Sequence, residues 1–275
     1  MLRVSDLRIK TKNKEIVKGI SFTVKDGEIV GIVGESGSGK TLTALSVADL
    51  LPEGVSAQGS IELDNDKNML EMSETELRSI KGDKIGMIFQ EPMTSLNPTM
   101  RIGRQVIEPL VIHKKTDKKL MKYMAISMLE AVGLEDAEEI CNKYPHELSG
   151  GMRQRVMIAM AMINEPSLLI ADEPTTALDV VVQKQIIDLI KKINEDNNTS
   201  VIFITHNLKL VRQFCDKVLV MKDGMIVEQG TPERIFNEPK EQYTRELIKA
   251  IPVRTRRKVQ KQEKLENEKA VAVNE

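Results

Sequence analysis

Gly34-Glu35-Ser36-Gly37-Ser38-Gly39-Lys40-Thr41 fits the pattern G-x-x-x-x-G-K-[ST] at every fixed position, and the rest of the chain reads outward from it. A loop of this composition wraps a polyphosphate. Its glycines let backbone N–H groups turn inward, and the helix that follows offers its positive N-terminus. Lys40 can reach the β and γ phosphates, and the Thr41 hydroxyl can ligand Mg²⁺. A bare glycine-rich turn would need no special flanks, but here Glu28-Ile29-Val30-Gly31-Ile32-Val33 reads as a buried strand and Leu42 to Leu51 as a helix. That is the strand-loop-helix context the motif requires. The stretch predicts a nucleoside triphosphate site.

The 275 residues, 41% of them hydrophobic, are enough for one large α/β domain with an inserted subdomain. The longest apolar run, Val156 to Ile163, is far shorter than a membrane span, and the N-terminus has no signal-peptide pattern, so the chain is expected to work in the cytoplasm. Cys141 and Cys215 lie too far apart in sequence to suggest a disulfide framework or a metal knuckle. A net charge of -1 argues against a general nucleic-acid binder.

Residues 2 to 33 are β-rich, with Leu2-Arg3-Val4, Leu7-Arg8-Ile9 and the alternating Ile20, Phe22 and Val24, and Gln58 to Leu63 continues a small sheet. Ser73-Glu74-Thr75-Glu76 is a capping-box pattern opening a short helix, and Ile85 to Phe89 is an apolar strand that delivers Gln90. From Pro92 to about Ile163 helical periodicity dominates and most of the chain's methionines occur, either as core filler or as an adaptable partner-binding face. Strands and helices then alternate: Leu168 to Ala171, Val180 to Asn194, Val201 to Ile204, Leu208 to Phe214, and a hairpin about Asp223-Gly224. Such alternation implies a parallel sheet with phosphate chemistry at its carboxyl edge.

Leu168-Leu169-Ile170-Ala171-Asp172-Glu173 ends a buried strand in two carboxylates. One such acid, Asp172, can hold Mg²⁺ through water, and its neighbour Glu173 can orient and deprotonate an attacking water. Gln90 and His206 end two further apolar strands, where sensors of a γ-phosphate would stand. Leu148-Ser149-Gly150-Gly151-Met152-Arg153-Gln154-Arg155 forms a second anion site, in which Ser149 caps a helix and Gly150 and Gly151 leave bare N–H groups at its positive end.

Residues 34 to 41, Gln90, Leu148 to Gln154, Asp172 to Pro174, Asp179 in Thr176-Ala177-Leu178-Asp179, and His206, in this order, resemble the ATP-binding subunits of ABC transporters. The resemblance covers roughly residues 1 to 251. It implies a phosphate-loop NTPase cassette with a RecA-like parallel-sheet core, an N-terminal antiparallel β subdomain and an inserted α-helical subdomain at about 91–165; the Lys- and Glu-rich residues 252–275 beyond it read by their composition as a mobile charged tail. It further implies that ATP is bound by residues 34 to 41 together with Gln90, Ser149, Gly150, Gly151, Gln154 and Asp179, and that Mg²⁺ is held by Thr41, Gln90 and Asp172. Glu173, Gln90 and His206 carry out hydrolysis in this scheme. Two cassettes are implied to meet head to tail, the second commonly a related chain, alongside two transmembrane permease subunits and an extracellular substrate-binding protein.

Gln90-Glu91-Pro92-Met93-Thr94-Ser95-Leu96-Asn97-Pro98, and Tyr243-Thr244-Arg245-Glu246-Leu247 ahead of Ile251-Pro252, are similar to the importer ATPases for oligopeptides, dipeptides and nickel. The expected role is ATP hydrolysis that powers a peptide importer on the cytoplasmic face of the membrane. Nickel import is the alternative, and a soluble ABC ATPase a more distant one. Two departures stand out. The stretch Asp6 to Glu15 lacks the aromatic that in the family stacks on adenine, and the tail after Pro252 lacks cysteine, so no iron-sulfur cluster is expected there.

Overall fold

The computed structural model describes residues 1–91, 95–113, 117–176 and 178–250. The expected tail over 252–275 lies outside the described residues, as do Pro92, Met93 and Thr94 of the motif that follows Gln90.

Two sheets are built from β1 (Leu2–Thr11), β2 (Glu15–Val24), β3 (Ile29–Val33), β4 (Val55–Leu63), β5 (Ile85–Ile88), β6 (Leu168–Asp172), β7 (Ser200–Ile204), β8 (Lys217–Lys222) and β9 (Met225–Gly230). The first is antiparallel, ordered β2-β1-β4, and the second is ordered β5-β6-β7-β3-β8-β9. All its neighbouring pairs run parallel except β8 with β9, the hairpin about Asp223-Gly224.

The two fragments read at 2–4 and 7–9 form one strand. Leu2 and Val4, then Leu7 and Ile9, are buried, which breaks strict alternation by one residue. A β-bulge absorbs the extra residue at Asp6, which adopts φ 44, and so returns Leu7 and Ile9 to the core face. Gly59 on β4 faces this bulge, and a Cβ there would sit 2.5 Å from the Asp6 carbonyl oxygen. The strand read from Gln58 starts earlier, at Val55. The helix after the phosphate loop is shorter than the sequence suggests, Lys40–Val47, because Asp49 turns left-handed at φ 53. The helix read as 180–194 runs on to Asn197 and stops where Asn198 turns left-handed at φ 53.

Apart from the edge strand β9, the strands of the central sheet are buried on both faces, which is why they are largely continuous apolar runs rather than alternating ones. One face, with Val30, Ile32, Ile170, Ile202 and Leu219, packs on the small sheet and on Ala44 and Val47 of the phosphate-loop helix. The other, with Leu169, Val201, Phe203 and Val218, packs on the helices Gly150–Met162, Val180–Asn197 and Leu208–Phe214. Between β5 and β6 the chain is mostly helical. Its methionines serve chiefly as core: Met121, Met157 and Met162 are buried, and Met124, Met128, Met152 and Met160 are partly buried and pack against the same apolar cluster.

The sheet order has one consequence for the site. β5, β6, β7 and β3 are neighbours running the same way, so Gln90, Glu173, His206 and the phosphate loop follow adjacent carboxyl ends.

Candidate functional site

At that edge lies a cavity of about 600 Å³. Ser36, Gly37, Gly39, Lys40 and Thr41 form its floor, Gln90, Glu173 and His206 one wall, and Lys14, Ile16 and Leu42 the remainder. The loop bends sharply to reach this shape. Gly34 has φ 155, and a Cβ there would meet the Met221 carbonyl oxygen at 2.1 Å, so no larger residue fits. Ser38 closes the bend, its N–H donating to the Glu35 carbonyl at 3.2 Å.

Lys40 is buried, and its Nζ donates to the carbonyl oxygens of Gly34 and Glu35, each at 2.9 Å. Burial pulls its pKa down, while the charges of Glu173 and Asp172 oppose that pull. Asp172 is buried at the end of β6, and burial pushes its carboxyl pKa up; the hydrogen bond from Thr41 and the charge of Lys40 work against that rise. Thr41 Oγ1 stands 3.4 Å from Asp172 Oδ1. A hydroxyl and a carboxylate oxygen side by side are the hard donor set that Mg²⁺ takes, so these residues fit that ion.

Three groups converge on one oxygen of Glu173. Thr176 Oγ1 donates to its Oε2 at 2.8 Å, Gln90 Nε2 donates to it at 3.3 Å, and His206 Nδ1 lies 3.3 Å from it. The Glu173 N–H bonds the Ile204 carbonyl at 2.9 Å, locking the ends of β6 and β7 together. Glu173 also adopts a left-handed backbone, φ 46. Such strain in a non-glycine residue persists only where its surroundings hold it, commonly at functional positions.

The structure thus gathers the residues of 34 to 41, Gln90, Asp172, Glu173 and His206, and leaves a second group apart. Ser149, Gly150, Gly151, Gln154 and Asp179 do not line the cavity. They form a unit of their own. Ser149 Oγ caps its helix through Met152 N–H at 3.3 Å, Asp179 Oδ1 caps the next through Val181 and Val182 N–H at 3.0 Å each, and a Cβ on Gly151 would touch Val182 at 3.1 Å. Gln154 is 1% exposed, and its Nε2 has no hydrogen-bond partner among the described residues. Sequence reasoning missed Thr176, whose position three residues after Glu173 was the available signal. It also missed Lys14 and Ile16, which reach the cavity from the start of β2 across a pairing no local pattern announces.

Residues 17–176 match the family model described as ABC transporter. The oligopeptide transport ATP-binding protein OppD of Bacillus subtilis is 48% identical over 258 residues, covering 92% of this chain and 72% of that protein. The dipeptide transport ATP-binding protein DppD of the same organism is 48% identical over 240 residues, covering 86% and 71%. Among solved structures, the ATP-binding cassette MJ0796, dimeric and bound to ADP and Pi, superimposes with a TM-score of 0.75 at 30% identity, covering 84% of this chain and 99% of that one. CbiO1 of Clostridium perfringens, part of an ABC transporter complex, gives 0.76 at 29%, covering 95% and 98%. With its phosphate loop, its strand-end carboxylates and this degree of likeness, the chain belongs to the ABC transporter family as an ATP-binding cassette.

Proposed function

We propose that the chain is the ATP-hydrolysing subunit of an importer for oligopeptides or dipeptides. The observation that carries the hydrolytic part is the convergence of Gln90, Thr176 and His206 on Glu173 beside the phosphate loop. The relatives named for oligopeptide and dipeptide transport support the cargo, and favour peptide over nickel.

In this reading the loop 34–41 grips the phosphates through its N–H groups and Lys40. Mg²⁺ bound at Thr41 and Asp172 would supply charge neutralisation at the phosphate oxygens. Glu173 takes a proton from water as that water attacks the γ-phosphorus, and ADP departs as the bond to its β-phosphate oxygen breaks. Gln90 and His206 keep the Glu173 carboxylate turned toward the water and report the presence of the γ-phosphate. The Ser149 and Asp179 unit stands outside this chain's own cavity, so we assign it to the ATP of a second cassette, a related chain placed head to tail. The dimeric MJ0796 cassette supports such a pairing.

The permease subunits are assigned to an apolar groove of about 220 Å³ lined by Leu50, Met87, Phe89, Ser95, Pro109, Met157 and Met160. Phe89 and Leu50 are 38% and 42% exposed there, and Phe89 directly precedes Gln90. No helix among the described residues is long and apolar enough to cross a membrane. We therefore place the chain as a peripheral subunit on the cytoplasmic face, its importer receiving cargo from an extracellular binding protein.

Three measurements test this. Glu173→Gln should retain ATP binding while turnover falls about 10²–10⁴-fold, as for loss of a general base; turnover near that of the unaltered chain would remove Glu173 from that role. Because Lys14 and Ile16, with no Phe or Tyr among the described residues there, form the wall beyond the phosphate loop, the ~1–3 kcal/mol that ring stacking gives a base is absent. GTP should then displace ATP within about tenfold of ATP's own affinity, and a larger preference would require a platform from another chain. Single cysteines at Glu91 and over 95–110, crosslinked in membranes holding the permease subunits, should give at least one adduct. If every position fails and ATPase activity ignores those subunits, the transport assignment is wrong.

A further inference from the structure

The C-terminal motif Tyr243-Thr244-Arg245-Glu246-Leu247 takes no part in the chemistry above, yet it reaches the phosphate loop. It lies on the helix Gln242–Lys249. Tyr243 is 7% exposed, and its hydroxyl oxygen accepts from the Glu35 N–H at 3.0 Å. That N–H belongs to the same peptide unit as the Gly34 carbonyl, which accepts from Lys40 Nζ at 2.9 Å. A peptide unit is rigid and trans, so its N–H and C=O point in opposite directions and fixing one fixes the other. The Gly34–Glu35 peptide is therefore held at both ends, by Tyr243 on the outside and Lys40 on the inside.

The tyrosine is itself tightly placed. Lys222 Nζ, at the end of β8, sits 4.7 Å over the centre of its ring. The start of the helix is tied to β9, where the Glu228 carboxylate accepts from the N–H groups of Lys240 at 2.8 Å and Glu241 at 3.1 Å. Arg245 braces the approach, donating to the carbonyl oxygens of Pro239 and Lys240 at 3.0 Å each. Little freedom remains for the hydroxyl.

We propose that Tyr243 is a positioning residue for ATP binding: its hydroxyl sets the plane of the Gly34–Glu35 peptide, and through that peptide's carbonyl the point from which Lys40 meets the phosphates. A glycine-rich loop has wide backbone freedom when unbound, and a contact that removes it beforehand lowers the ordering cost of binding. The inference rests on the loop being the ATP site. It adds that the C-terminal helix, remote in sequence, is part of that site's affinity.

The test is Tyr243→Phe in the full chain, which removes the acceptor and keeps the ring. The dissociation constant and KM for ATP should rise roughly 3- to 10-fold, the worth of one net hydrogen bond. Meanwhile kcat at saturating ATP should stay within about twofold, because Glu173 and its partners are untouched. A lowered melting temperature with unchanged ATP affinity would show a merely structural tyrosine and overturn the proposal. Failure of the unaltered chain to bind ATP would instead overturn the ATP-site reading itself. If the variant does not fold, the Glu35 amide in the unaltered chain decides. Hydrogen exchange slowed as for a bonded amide supports the contact, and exchange at the rate of an exposed loop amide refutes it.

Discussion

Lys40 is a buried cation whose hydrogen bonds run to two carbonyl oxygens rather than to a carboxylate. Burying that charge is costly and pulls its pKa down, and the nearby charges of Glu173 and Asp172 offset only part of the cost. The fold tolerates this because the loop that surrounds Lys40 is shaped to receive an anion. Much of the architecture serves that arrangement. β3 delivers the loop, the helix Lys40–Val47 anchors it in the core through Ala44 and Val47, and β8 presses against Gly34 through Met221.

The same sheet explains why chemistry and binding coincide. Parallel strands all end at one edge, so Asp172 at the end of β6 and Glu173 just after it, His206 after β7 and Gln90 after β5 arrive beside the loop without further design. β5 also carries the site outward. Phe89 faces the apolar groove while Gln90, the next residue, bonds Glu173, so one step of chain separates the carboxylate proposed as general base from the surface proposed for the permease. A shift of Gln90 on binding or losing the γ-phosphate would be felt at Phe89, a route that rests on adjacency and on these contacts.

What the sequence made legible was local. The phosphate loop, the capping box at Ser73, the helix cap at Ser149, and the apolar strands each announce themselves within a few residues. So did the acids at the end of β6. What stayed hidden depends on pairing between distant segments: the bulge at Asp6 opposite Gly59, Ile16 and Lys14 at the cavity wall, and Tyr243 against Glu35, 208 residues away. Periodicity carries no information about which strand lies beside which. The motif Tyr243 to Leu247 could be recognised as a resemblance, but its physical role became visible only once β8 and β9 brought that helix to the loop.

The cavity is expected to grip the β and γ phosphates rather than the base, because its floor carries Lys40 on a braced loop while Lys14, Ile16 and Leu42 on its far side offer no ring for a base to stack on. Calorimetric titration of the full chain with ATP and with AMP, each with Mg²⁺, tests it most directly. Loss of at least two charge-assisted hydrogen bonds should weaken AMP by about 10²-fold or more relative to ATP. Equal affinities for the two would contradict the account, since they would place recognition in the nucleoside and leave Lys40 and its glycine loop without the role assigned to them.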